Sequence, residues 1–381
     1  MSGLRIFAFL VAVLMGVVAA QAQGTTDSDG GDEGGTIGPT HGPPSLLSLW
    51  QGPEIIFGGS HLDYGNDHRA TFGEFDNGEP VLQAGEGPEL ACGHVGGKGP
   101  TGIGQARWYV KGIYCEDHKE DPNISLPDRN FRLAIGNGQS RGVAPGTFDE
   151  ARIGQNIQWG DLHGGIGLPL FSGRNAVFAA DTLFGIAFDE TRQKLGLYNN
   201  NGDLIAEEID LEGTAAELGL NVSFWWSPSG EIVDPQGQPF GGPLIPITQE
   251  EMDRRERVRR RERALRLKRQ RRLVFVAKGG GLVRRTDTNA THSFVSRQGG
   301  VREEVKVNLS STDTAVDYSA SIGARVGVSP ILAVTLTGGW TSHEMPVVAQ
   351  SIDQRSRIVT RRANAWNFGV MGSVPLGGQG Q

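Results

Sequence analysis

Cysteine is almost absent from the 381-residue chain: Cys92 and Cys115 are the only two. Their spacing fits neither a zinc-ligand set nor a Cys-x-x-Cys redox pair, which excludes both centres and leaves Cys92 and Cys115 as one disulfide candidate. In an oxidising compartment that bridge would add on the order of 3 kcal/mol by restricting the unfolded chain. Long apolar runs are as scarce. Only the stretch from Ile6 to Ala20 qualifies, so a bundle of membrane-crossing helices is excluded. A β-barrel is not, because only every second residue of a barrel strand meets lipid. The Gly-rich stretch 93–104 lacks the Lys-Ser/Thr ending of a phosphate loop.

The single apolar run sits behind Arg5 and is followed by Ala20, Gln21 and Ala22. A basic head, a short greasy core and a small-x-small triplet describe a signal peptide over 1–22, cleaved before Gln23. The mature protein is therefore expected outside the cytoplasm. Residues 23–44 are Gly, Thr, Asp, Ser and Pro with little apolar content. They cannot offset the entropy of ordering and read as a flexible linker. Residues 45–127 are mixed, with short apolar pieces at 54–57 and 107–114 separated by Gly-rich sequence. They form either a small N-terminal region, disulfide-closed by its two cysteines, or the first strands of the next domain.

From about residue 128 the pattern sharpens. Ala216, Leu218, Leu220, Val222, Phe224 and Trp226 alternate with Glu217, Gly219, Asn221 and Ser223. A period of two is a strand with one apolar and one polar face. The same alternation runs through 316–328, 332–340 and 364–376, and more weakly through 178–188. These stripes run for about 10 to 14 residues, against the 5 or 6 usual in soluble sheets and the 9 to 11 that a tilted membrane strand needs. Trp225, Trp226, Trp340 and Trp366 stand near strand ends, as in an interfacial girdle. Ser329-Pro330 leaves room only for a tight hairpin. Asn199-Asn200-Asn201-Gly202-Asp203 signals another. The link 341–362 reads as a long polar loop.

On the stripes 316–328, 332–340 and 366–376, with the Pro330 turn between the first two, residues 128–381 resemble the bacterial outer-membrane β-barrel class, the porin-like and small-barrel group. No specific family is implied. The resemblance implies an all-β, antiparallel transmembrane barrel of roughly 12 strands, placed in the outer membrane and contacting its lipid. The polar face with Glu217, Asn221, Asp317 and Arg325 would line the lumen. The chain departs from the class in ending on Gly377-Gly378-Gln379-Gly380-Gln381 rather than on an aromatic residue. A soluble secreted β-sandwich or solenoid, periplasmic or released and binding a ligand or surface, is the alternative.

The formal net charge of −7 hides one exceptional segment. Residues 249–272 lose Gly and Pro and become rich in Glu, Arg, Lys, Leu and Ala, a helix-forming composition inserted between strands. Glu250, Glu251 and Asp253 open it and cations close it, as the helix dipole favours. Arg254, Arg255, Arg259, Arg260, Arg261, Arg266, Lys268, Arg269, Arg271 and Arg272 form a candidate anion-binding arm. Lipopolysaccharide phosphates or an acidic periplasmic partner would suit it, or it is merely a solvated connection. Nucleic acid fits poorly, since stacking aromatics are missing. Counting strands backwards from a periplasmic C-terminus puts this arm in the periplasm.

Catalytic and metal chemistry find little support. His292 with Ser293 and Ser296 is the nearest approach to a base and nucleophile, and reads as a surface polar group. His61, Asp63, Asp67 and His68 have ligand-type side chains in no established metal spacing, and read as a hydrogen-bonded turn. The expectation is a non-enzymatic barrel without cofactor, either a passive pore or a structural or surface scaffold.

Overall fold

The computed structural model describes residues 46–122, 124–173, 175–228, 273–329, 332–352 and 354–376. The expected signal peptide 1–22, linker 23–44 and basic helix 249–272, with its ten candidate anion-binding cations, lie outside the described residues.

The elements in chain order are α1 (Leu46–Gln51), β1 (Glu54–Asp63), β2 (Thr71–Glu74), β3 (Pro80–Gln83), β4 (Glu89–Pro100), β5 (Arg107–Asp121), β6 (Phe131–Ala134) and β7 (Ser140–Val143). Then come β8 (Glu150–Ser172), β9 (Ala176–Tyr198), β10 (Leu204–Trp226), β11 (Leu273–Gln298), β12 (Val301–Ser329), β13 (Leu332–Ala349) and β14 (Arg357–Pro375). Ten of the strands close a barrel in the order β1-β14-β13-β12-β11-β10-β9-β8-β5-β4. Every neighbouring pair is antiparallel, and β1 completes the ring by pairing with both β14 and β4. The remaining four form a small sheet, β3-β2-β6-β7.

Three expectations change. The barrel has ten strands among the described residues, not about 12. It begins at Glu54 rather than near 128: of the two readings of 45–127, a small N-terminal region or the first strands of the next domain, the second fits, since β1, β4 and β5 belong to the barrel. The link 341–362 is mostly strand, leaving only 350–356 as loop between β13 and β14. The sequence inflates the strand count because β11 and β12 each read as two. They run for 26 and 29 residues, and their apolar stripe stops halfway up where the outer face becomes polar. Two such errors cancel in the parity of the count, so Leu273 still starts at the end of the barrel where β14 finishes.

The outer face explains the stripes. Leu218, Leu220, Val222, Phe224 and Trp226 on β10 are exposed, as are Phe184 and Ile186 on β9, Ile322, Val326 and Val328 on β12, and Phe368 and Val370 on β14. On β10 the band covers 216–226, which at about 3.3 Å per residue and a tilt near 40° is about 25 Å along the barrel axis. Trp226 stacks on Phe275 at its lower rim, with ring centroids 5.6 Å apart. Trp340 and Trp366 are direct cross-strand partners at its upper rim. Trp225 departs from the expected girdle: one position from Trp226, it faces inward and is buried.

The two ends differ. The lower end carries α1, the finish of β14, the connection 101–106, and the ends at which β8 gives way to β9 and β12 to β13, and there too the chain leaves β10 and enters β11. The upper end carries the small sheet, supplied by the two long connections β1–β4 and β5–β8. It also has the tight β9–β10 turn, where Gly202 takes φ +83° and its N–H donates to Asn199 O at 3.2 Å.

Candidate functional site

The inward face of the lower half is charged. Glu54, first on β1, accepts from Arg325 Nη1 on β12 at 3.0 Å, pairs also with Arg325 Nη2, and lies 3.4 Å from Lys98 Nζ on β4. Arg107 Nη2 on β5 reaches both oxygens of Asp181 on β9 at 2.9 Å, with Nε at 3.2 Å. Arg284 on β11 bridges Glu217 on β10 (3.0 Å) and Asp317 on β12 (3.2 Å). Asp161 and His163, both on β8, are joined at 2.7 Å. All these positions alternate with the exposed apolar band, so the strand period that greases the outside charges the inside.

The lower mouth is crossed by α1. Leu46 and Trp50, one helical turn apart, are buried against Val177, Ala179, Trp225, Val274 and Val276 at the lower ends of β9, β10 and β11. The opposite wall holds the helix by its last carbonyls, which lack partners within the helix. Lys98 Nζ donates to Leu49 O (3.0 Å) and Trp50 O (3.1 Å), and Arg107 Nη1 donates to Trp50 O (3.1 Å). The Arg107 guanidinium also lies 4.1 Å from the Trp50 ring centre. Cations at a helix C-terminus are favourable, so the two cations that neutralise lumenal carboxylates also pin the helix across the lumen.

The upper mouth is closed by apolar packing. Phe72, Leu82, Phe131, Leu133 and Val143 of the small sheet pack on Ile153, Leu195, Leu197, Ile205, Ile209 and Phe294, which point inward from β8 to β11. Tyr64, just above β1, donates to or accepts from His343 Nε2 at 2.9 Å, and the two rings stack. Burial pushes the His343 imidazole down to about 3, helped by Arg284 and His68. It lowers His68 as well and raises the Tyr64 hydroxyl. The Cys92–Cys115 disulfide forms between directly opposed inward residues of β4 and β5.

His292 is not on the surface as expected. It is fully buried, and its partners come from other strands and loops: Nε2 meets Glu207 Oε1 and Nδ1 meets Ser356 Oγ, both at 2.9 Å. With Nε2 donating to Glu207, Nδ1 accepts from the Ser356 hydroxyl. Burial raises the Glu207 carboxyl against the pull of His292 and Gln350. The order serine, histidine, carboxylate is that of a hydrolase triad, but Ser356 is buried and does not line the lumenal cavity. Its N–H donates to Gly136 O at 2.9 Å, so the line ties the 350–356 loop to β10, β11 and the β6–β7 turn. Ser293 and Ser296 take no part. His61 faces outward on β1, whereas His68 is folded into the mouth, its carbonyl accepting from Gln155 at 2.9 Å. Asp63 and Asp67 accept from Gly65 N (2.7 Å) and Asn364 N (3.1 Å). No metal-binding cluster forms among the described residues.

Of the four lumen candidates, Glu217 and Asp317 converge on Arg284, Arg325 joins Glu54, and Asn221 lies inward opposite Asp181 and Gly280. Sequence reasoning misses Glu54, Lys98 and Arg107, whose strands it assigns elsewhere. It also misses Lys278 and Arg284, whose charge merges with that of the neighbouring basic segment. Their signal is the alternation Val274, Val276, Lys278, Gly280, Leu282, Arg284, blurred because the first two face the helix plug rather than the ion network.

No family model matches the chain, and no curated protein is similar to it in sequence. Among solved structures it is similar to the outer membrane protease OmpT from Escherichia coli, at 11% identity and a TM-score of 0.33, with 84% of this chain and 93% of that one covered. It is also similar to the Pseudomonas putida toluene transporter TodX, at 9% identity and a TM-score of 0.28, covering 88% and 92%. A Pseudomonas aeruginosa FadL homologue is similar at 9% identity and a TM-score of 0.23, covering 88% and 93%.

Proposed function

We propose that this chain is an outer-membrane β-barrel whose lumen is closed at both ends, a scaffold rather than a passive pore. The observation that carries the reading is α1, pinned across the lower mouth by Lys98 and Arg107 while the small sheet fills the upper one. The exposed apolar band of about 25 Å with aromatic rims supports a bilayer setting. Three of the four lower connections are short and both insertions that build the small sheet are upper, which supports a periplasmic lower end. On that reading the basic segment between Pro228 and Leu273 leaves the barrel on the periplasmic side, which favours an acidic periplasmic partner over lipopolysaccharide phosphates.

Planar-bilayer recording tests the closure. The full chain is expected to give no steady conductance, and deletion of residues 23–52 is expected to create it. A stable open channel in the intact protein would sink the closed-lumen reading. Fractionation tests the membrane: the protein should need detergent for release and migrate differently on SDS gels before and after boiling. Recovery as a soluble periplasmic protein would favour the secreted β-protein instead.

A further inference from the structure

Between the two plugs the lumen keeps a cavity of about 440 Å³. It exists because one arc of the inner wall carries almost no bulk: Gly280, Ser319, Ser321, Gly323, Thr337 and Gly339 all face inward there. That volume lies in the range of small-molecule sites, roughly 300 to 1,000 Å³.

Six cations line this space against four carboxylates, and a fifth carboxylate, Glu217, is turned onto Arg284. Four of the cations are spoken for: Lys98 and Arg325 on Glu54, Arg107 on Asp181, and Arg284 on Glu217 and Asp317. The other two are not. Lys111 on β5 and Lys278 on β11 have neither a hydrogen bond nor an ion pair among the described residues. Lys278 is exposed, yet it is the inward partner of Ser223 and Ser321, so the space it is exposed to is the lumen. Lys111 is the charged group that bears most strongly on it, with Arg107 next. Both influences are repulsive. The acid closest in effect to Lys111 is Asp161, which is already bonded to His163. His94, lining the same space, uses Nε2 on Ser60 (2.6 Å) and leaves Nδ1 without a partner.

Two like charges left unpaired on one lumenal cavity are costly unless a counter-charge joins them. The geometry points to a binding site for a small anion, with a phosphate or carboxylate group held between Lys111 and Lys278. The site rests on the closed lumen proposed above, since an open channel would neutralise the pair with passing salt.

The test uses the full chain in detergent micelles, titrated separately with inorganic phosphate and with succinate, and with choline chloride at matched ionic strength. At least one of the two anions is expected to bind saturably and raise the melting temperature, and the comparison between them identifies the headgroup. The double variant Lys111→Gln/Lys278→Gln should bind at least about tenfold more weakly, a loss that corresponds to about 1.4 kcal/mol. Without ligand it should melt no lower than the parent, because it loses only uncompensated charge. Failure of both anions to exceed choline chloride, unchanged affinity in the double variant, or a double variant that no longer folds would each overturn the site. Conductance recorded on the same sample separates the two ideas. A silent barrel that ignores anions removes only the site, whereas a conducting one removes the closed lumen.

Discussion

The lower and upper halves of this barrel are inside-out versions of one another. In the lower half of β10, Leu218 and Leu220 face outward while Glu217 points in to Arg284. In the upper half, Glu208 and Asp210 face outward while Ile205 and Ile209 point into the core. The outer surface above the band carries ion pairs such as Lys194–Glu208 at 3.0 Å and Arg192–Glu208 at 3.5 Å. The same strand thus reverses its polarity halfway along without a break in its ladder. Each face answers to its surroundings: on the proposed membrane setting, lipid outside and a charge-lined cavity inside below, water outside and a packed cap inside above. Hydrophobicity alone says where apolar surface is, not whether it lies inside or outside.

Substitutions that ignore this reversal should fail in opposite ways. The largest losses are expected for Arg284→Met, which leaves Glu217 and Asp317 without their shared cation, and for Phe294→Ala, which empties the upper core. Each should cost about 3–5 kcal/mol in denaturant unfolding from micelles. If Arg284→Met were neutral, the lower interior would not be held by its ion pairs. Next in size, Leu220→Arg in the band should cost about 2–4 kcal/mol in lipid. Glu212→Arg, outward on the same strand but above the band, should stay within about 0.5 kcal/mol. Equal effects at the two sites would erase the boundary between the halves.

Acidification separates the cap from the lower half in a different way. His343 and His68 both titrate below their ordinary value because the cap buries them. The unfolded chain therefore takes up protons first, so their contribution is complete above about pH 6.5 and is lost as pH falls, for His343 down toward about 3. Hydrogen exchange around Tyr64 and β13 should accelerate on acidification ahead of exchange in the lower half. His343→Gln should flatten that response. A uniform loss of protection along the barrel would contradict a separable cap.

The outward stripes of β9, β10, β12, β13 and β14 are legible in the sequence because one apolar outward side chain in two is a strong period. The inward residues Glu217, Asn221, Asp317 and Arg325 follow as its complement. The rest of the lumen escapes. Glu54, Lys98 and Arg107 lie on β1, β4 and β5, where glycine dilutes the alternation, and the upper halves of β11 and β12 are lost where polar outer positions mask it. The helix Leu46–Gln51 is too short to announce itself, and nothing local marks its burial.

By itself, the sequence determined which side of each long strand meets an apolar surrounding, since alternation is a property of neighbouring residues along one chain. Only the tertiary structure decided that the barrel strands number ten among the described residues, that β1 closes on β14, and that Glu54 finds Arg325 across 271 positions. It alone set Lys111 and Lys278 facing one lumen. Those outcomes depend on register and ring closure, which arise when distant strands pair and which no local period encodes.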